Sequence, residues 1–199
     1  MKRALVFSVL FSVLCATTIN IPSDYTTIQE GIDASVDGDT VLIAQGTYYE
    51  NLILEKEIAL ASHAINDDLG SDWLDNVNIQ ETVISGAQDA SDPYKGSCLV
   101  IRDGNIQPTI IGLTFQDGLG TSMSINNCGL IQKERSGGAI LMYKAYPTIM
   151  YNRFINNGIS NDTGGNNPTN IEVLMEVQLV ITVVRMLNLM RTGTILLVS

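Results

Sequence analysis

Gln107-Pro108-Thr109-Ile110-Ile111-Gly112-Leu113-Thr114-Phe115-Gln116-Asp117-Gly118 comes back as Tyr146-Pro147-Thr148-Ile149-Met150-Tyr151-Asn152-Arg153-Phe154-Ile155-Asn156-Asn157-Gly158. Pro-Thr-Ile, then Phe, then an acid or amide before Gly stand in the same order in both, with one residue inserted in the second. The offset of about 40 residues lies within the range of repeat architectures. Each copy holds short β-branched runs divided by a turn residue. One such unit cannot bury its apolar side chains alone, whereas stacked units share an apolar column and pair each other's backbone edges. The repeat therefore predicts a β-solenoid.

Working outward, the same vocabulary recurs. Thr40-Val41-Leu42-Ile43-Ala44, Leu52-Ile53-Leu54, Ile58-Ala59-Leu60-Ala61, Thr82-Val83-Ile84, Cys98-Leu99-Val100-Ile101 and Ala139-Ile140-Leu141-Met142 are short apolar runs separated by Gly, Asn and Asp. Sandwich strands would be longer, alternate apolar with polar, and often meet at two-residue Asn-Gly or Asp-Gly hairpins. Asn126-Asn127, Asn156-Asn157, Asn161 and Asn166-Asn167 stand where coils would turn, and Asn tolerates left-handed φ. One segment has a different period. Ile28, Ile32 and Val36 recur at helical spacing from Thr27 to Val36, and Thr27-Ile28-Gln29-Glu30 has the form of a capping box. A short helix there, ahead of the first strand, would cover the open edge of the first coil.

A composition of 45% apolar and 16% charged residues is that of a folding chain. Twenty-one acidic against eleven basic side chains give a net charge of -10, which repels phosphate backbones and excludes nucleic acid as a partner. A polyanionic glycan would need bridging calcium, so charge favours a neutral partner or a calcium-dependent one; the expected partner is an extracellular polysaccharide or a cell surface. Met1-Lys2-Arg3, the apolar Ala4 to Leu14, and the small-residue zone Cys15-Ala16-Thr17 read as an export signal over residues 1–16. Its apolar run falls short of the ~20 residues that span a bilayer, so no membrane engagement is expected apart from the signal. Removing it leaves Cys98 and Cys128, read as small buried apolar residues, with pairing in an oxidising compartment as the alternative.

The stretch from Ile21 to Ile32, including Tyr25-Thr26-Thr27-Ile28-Gln29, resembles the N-terminal cap and first coil of the pectin-lyase-like superfamily. The resemblance continues through Gly38-Asp39-Thr40-Val41 and Gly46-Thr47-Tyr48-Tyr49-Glu50. Gly137-Gly138-Ala139-Ile140 is similar to a step in later coils of those proteins. The resemblance covers residues 21 to about 168. It implies an all-β fold, a right-handed parallel β-helix with a short N-terminal capping helix, and a bacterial exported product occupying residues 17–172.

Members of that superfamily include enzymes. Pectin methylesterases share the opening and a phrase like Leu113-Thr114-Phe115-Gln116, but their paired aspartates and oxyanion-stabilising Gln have no counterpart in this sequence. Arg102-Asp103 and Arg153 are the nearest candidates for the chemistry of lyases or hydrolases, and read as solvated turn residues. His63 is the lone histidine, so a His-based metal site or triad is not expected. No catalytic residue and no cofactor is assigned. The expectation is a non-catalytic scaffold for glycan binding or cell-surface adhesion; the alternative is the front piece of a polysaccharide lyase, esterase or hydrolase. Asn66-Asp67-Asp68-Leu69-Gly70-Ser71-Asp72 gathers carboxylates, and Asp67, Asp68 and Asp72 are kept as a candidate calcium loop, although EF-hand spacing is absent.

From Val173 the turn residues disappear: Val173-Leu174-Met175-Glu176-Val177-Gln178-Leu179-Val180-Ile181-Thr182-Val183-Val184 offers no place for a coil to turn. Read one base earlier, with favourable third positions, codons for Leu174 onward give Asn-Gly-Gly-Ala-Val-Ser, a near copy of Gly137-Gly138-Ala139-Ile140. Residues 173–199 are therefore expected to be an atypical tail translated out of frame. The last coil before it would then be left with an unpaired edge.

Overall fold

The computed structural model describes residues 16–86, 96–127, 130–158, 173–174 and 179–180. Expectations placed on residues 1–15, Cys128, Asn161, Asn166, Asn167 and most of the tail lie outside them. The short apolar runs become strands because β-branched side chains fit a pleated surface, and they pair in parallel because each connection carries the chain on to another sheet. The first sheet holds β1 (Thr18–Ile21), β2 (Thr40–Ile43), β5 (Ala59–Ser62), β8 (Thr109–Ile111) and β13 (Thr148–Met150). The second holds β3 (Gly46–Tyr49), β6 (Thr82–Ser85), β9 (Thr114–Gln116) and β14 (Arg153–Ile155), and the third β4 (Leu52–Leu54), β7 (Leu99–Ile106) and β12 (Ile140–Ala145). From β2 to β14 the strands of these three sheets follow one another in fixed rotation, first, second, third. The protein is thus mainly β, in parallel sheets.

Register turns this rotation into interior columns. Val41, Leu60, Ile110 and Ile149 align across the first sheet, and Tyr48, Ile84, Phe115 and Phe154 across the second. Leu54, Ile101 and Met142 align in the third. These residues line one apolar core. Each fully buried Leu or Ile contributes roughly 1.5–3 kcal/mol, enough to fix the register against a slip that would turn the column outward. Phe115 and Phe154 stack with centroids 5.6 Å apart.

The two copies of the repeat lie directly on each other, Thr109 beside Thr148 and Phe115 beside Phe154. Their corners repeat as well. Asn105 and Lys144, Gly112 and Tyr151, and Asp117 and Asn156 all have positive φ, each pair at the same 39-residue spacing that joins Leu113 to Asn152. The inserted residue is therefore Asn157, and Asn156 is the partner of Asp117. Asn157 turns its amide back on the previous coil, accepting from the Gly118 N–H at 2.9 Å and donating to the Phe115 carbonyl at 2.8 Å.

Extra chain enters only at corners. Between β5 and β6, two 3-10 turns (His63–Asn66 and Trp73–Asp75) and α2 (Val77–Glu81) pack Ala64, Trp73 and Ile79 into a small cluster joined by Tyr151. Between β9 and β12, the antiparallel hairpin of β10 (Thr121–Asn127) and β11 (Leu130–Ser136) leaves after Gly118 and returns at Gly138. A Cβ on Gly118 would strike the Gly138 carbonyl, and one on Gly138 would lie 2.5 Å from the Gly158 oxygen. Glycine is required where the chain crosses itself.

The opening helix is α1 (Ile28–Ala34), capped by Thr27 and Glu30 in a complete capping box. It ends earlier than its apolar spacing suggests, and Val36 is 52% exposed instead of joining Ile28 and Ile32 in the core. The first coil holds both ends of the helix. Glu50 accepts from the Ile28 and Gln29 N–H groups at 2.9 and 3.0 Å, while Lys56 donates to the carbonyls of Ile32, Asp33 and Ser35 at 2.8, 2.7 and 2.6 Å. Gln29 completes the cover: its amide exchanges two hydrogen bonds with the Ile53 backbone, as a neighbouring strand would.

At the far end, the tail supplies what the last coil lacks in two sheets. β15 (Val173–Leu174) pairs antiparallel with β14, and β16 (Leu179–Val180) pairs antiparallel with β13. The expected unpaired edge is thus covered there, because even two apolar residues without turn signals can satisfy a strand edge. Their antiparallel sense breaks with the parallel pairing of every coil before them.

Candidate functional site

The acidic segment belongs to the insert between β5 and β6, and its carboxylates work inside that insert. Asp67 accepts from the side-chain amides of Asn76 and Asn78, both at 2.8 Å, and these bonds hold its carboxyl below the ordinary range. Asn76 in turn caps α2 through the Ile79 N–H. Asp72 accepts from the Ser71 hydroxyl at 3.0 Å, and Asp68 is exposed. Among the described residues, no group of three or more His, Cys, Asp or Glu side chains is placed to hold a metal ion. His63 opens the first 3-10 turn of the same insert.

The two arginines lie on different sheets. Arg153 is in β14 on the second sheet, beside Thr114. Arg102 is on the outward side of the third sheet, where its Nε donates to Glu55 at 2.7 Å in an exposed ion pair. Parallel register places Tyr143 next to Arg102, so Glu55, Arg102 and Tyr143 form one outward row on three successive coils. Ile53, Val100 and Leu141 form the row beside it. Tyr143 is 46% exposed and carries the Lys144 ammonium 5.1 Å from its ring centre; Tyr146 stands exposed just beyond.

A phenol ring next to an ion pair offers an apolar surface flanked by a donor and an acceptor, which suits a ring bearing hydroxyl groups. Its carboxylate faces a guanidinium rather than the second carboxylate that acid/base glycoside chemistry requires. Arg102 is legible in the sequence but the row is not, because Glu55 and Tyr143 are far from it in the chain and meet it only through strand register.

Cys98 lies inside the core as a free thiol. Burial pushes it up to about 12, and its sulfur donates to the Gln116 carbonyl at 3.2 Å. It packs as the small apolar residue expected. No helix among the described residues is long and apolar enough to cross a membrane.

No family model matches the chain, and no curated protein matches it.

Proposed function

We propose that the chain is the capped leading section of an exported right-handed parallel β-helix of the pectin-lyase-like kind, acting as a non-catalytic scaffold that binds extracellular glycan or a cell surface. What supports the architecture is the fixed rotation of the chain through three parallel sheets. Parallel crossovers strongly favour the right hand. What supports glycan as ligand is the outward row of Glu55, Arg102 and Tyr143, an exposed aromatic ring flanked by hydrogen-bonding groups. The net charge of -10 favours a neutral polysaccharide.

A glycan array followed by a reducing-sugar assay tests this reading. Binding of neutral glycans that Tyr143→Ala weakens, without release of reducing ends, is the expected result. Turnover of any polysaccharide by the chain overturns the non-catalytic reading, and an array without binding overturns the ligand class.

A further inference from the structure

The fold takes hold of the chain at Thr17. Its carbonyl accepts from the Thr40 N–H at 2.8 Å, and its own N–H and hydroxyl donate to Asp39 Oδ1 at 2.8 and 2.9 Å. The other oxygen of Asp39 accepts from the Val36 N–H at 2.8 Å. Asp39 is only 3% exposed, whereas Ala16 and Thr17 are both exposed. A carboxylate withdrawn from water to this extent is costly unless hydrogen-bonded and paired with positive charge. Lys56 lies near enough to act on it electrostatically, but its ammonium is occupied by the three helix carbonyls.

We infer that a processing peptidase cuts the chain between Ala16 and Thr17, and that the new α-ammonium of Thr17 forms an ion pair with Asp39 that clasps the cap onto the first coil. This rests on reading residues 1–16 as an export signal. In the cut, the oxygen of one water joins the Ala16 carbonyl carbon as its carboxylate, the bond to Thr17 nitrogen breaks, and both water protons go to that nitrogen. The nitrogen already stands 2.8 Å from Asp39 Oδ1. Cleavage therefore turns an amide–carboxylate hydrogen bond into an ammonium–carboxylate ion pair without moving the strand. Maturation then strengthens a clasp whose partners are already in place.

The full chain, exported from a bacterial host, gives the test. Intact mass and N-terminal sequencing are expected to show a product that begins at Thr17. Its α-amine is then acylated at neutral pH about tenfold more slowly in the folded protein than in urea, because pairing with Asp39 keeps it protonated. The nitrogen is part-buried, so the protection is read against Asp39→Asn, which removes the pair and keeps the surroundings of the amine. Asp39→Asn is expected to remove the protection while the circular dichroism of the folded protein is kept. Should that variant fail to fold, the comparison of folded and urea-treated wild type still decides. Equal rates in the two states, or export with a cut elsewhere, overturn the clasp and leave the export reading standing. A product that is retained and uncut overturns both.

Discussion

Thr82 opens β6 with its hydroxyl wholly buried and without a hydrogen-bond partner, alone in this among the described side chains. Thr82→Val keeps the shape and removes the stranded oxygen, so unfolding free energy should rise by about 1 kcal/mol, read as a higher urea midpoint at unchanged slope. Asn152 shows the opposite case. It stands where the first copy of the repeat has Leu113, yet its buried amide accepts from the Leu113 N–H and donates to the Ile110 and Met150 carbonyls. Set against Leu113, Asn152 is a mismatch within the repeat; contact with the coil beneath makes it a coil-to-coil tie, which no local pattern reveals. Cys98 adds a chemical prediction. With its thiol pushed up to about 12 in the core, it should resist a thiol reagent at neutral pH in the folded protein and react promptly in urea.

At the scale of elements, α1 is held by charges of the correct sign at each end, acid at its N-terminus and ammonium at its C-terminus. Lys56→Met should cost about 1.5–3 kcal/mol, since it strips a charged donor from three carbonyls. Glu50→Gln should cost about 0.3–1 kcal/mol, because the amide keeps one acceptor and loses the charge. Thermal melts of the two variants check the order. Hydrogen bonds from Val36 and Thr17 hold Asp39 below its ordinary range, and those from Thr26 and Thr27 do the same for Glu30. Lowered native values mean that the folded state binds fewer protons than the unfolded chain. Their stabilisation is complete above the ordinary carboxylate range and fades as pH falls through the lowered values. A series of urea midpoints from neutral to acid should therefore decline at the acid end, less steeply in Asp39→Asn. The helix and its capping box are plain in the sequence, as are β2, β4 and β8, because apolar run and strand coincide. Gly46–Tyr49 does not stand out as a strand, since two tyrosines behind Gly and Thr look polar until the column they join, with Ile84 and Phe115, is known. The β10–β11 hairpin is hidden for a related reason: Asn126-Asn127 has the composition of a coil turn but ends a projecting strand.

Across the whole molecule, order along the stack follows the repeat, and departures from it gather where coils meet. The spacing of Pro108 and Pro147 is enough to lay two coils in register. The candidate binding row is beyond reach of the sequence, because it depends on the lengths of inserts that set which residues of distant coils become neighbours. The crossing at Gly118, Gly138 and Gly158 ties these layers together. Gly138→Ala should cost about 1–3 kcal/mol or more, with circular dichroism and a urea titration as the measure, since a methyl group there must push neighbouring coils apart. The corners that carry the inserts are also where new recognition could be acquired. Strand spacing along the stack works as a ruler, and a corner loop hangs from it at a fixed height. Replacing the segment between Gly118 and Gly138 with a foreign loop would change what the molecule displays while leaving the register of the coils above and below untouched. Such a chain can diversify its contacts at the corners without solving its folding problem again.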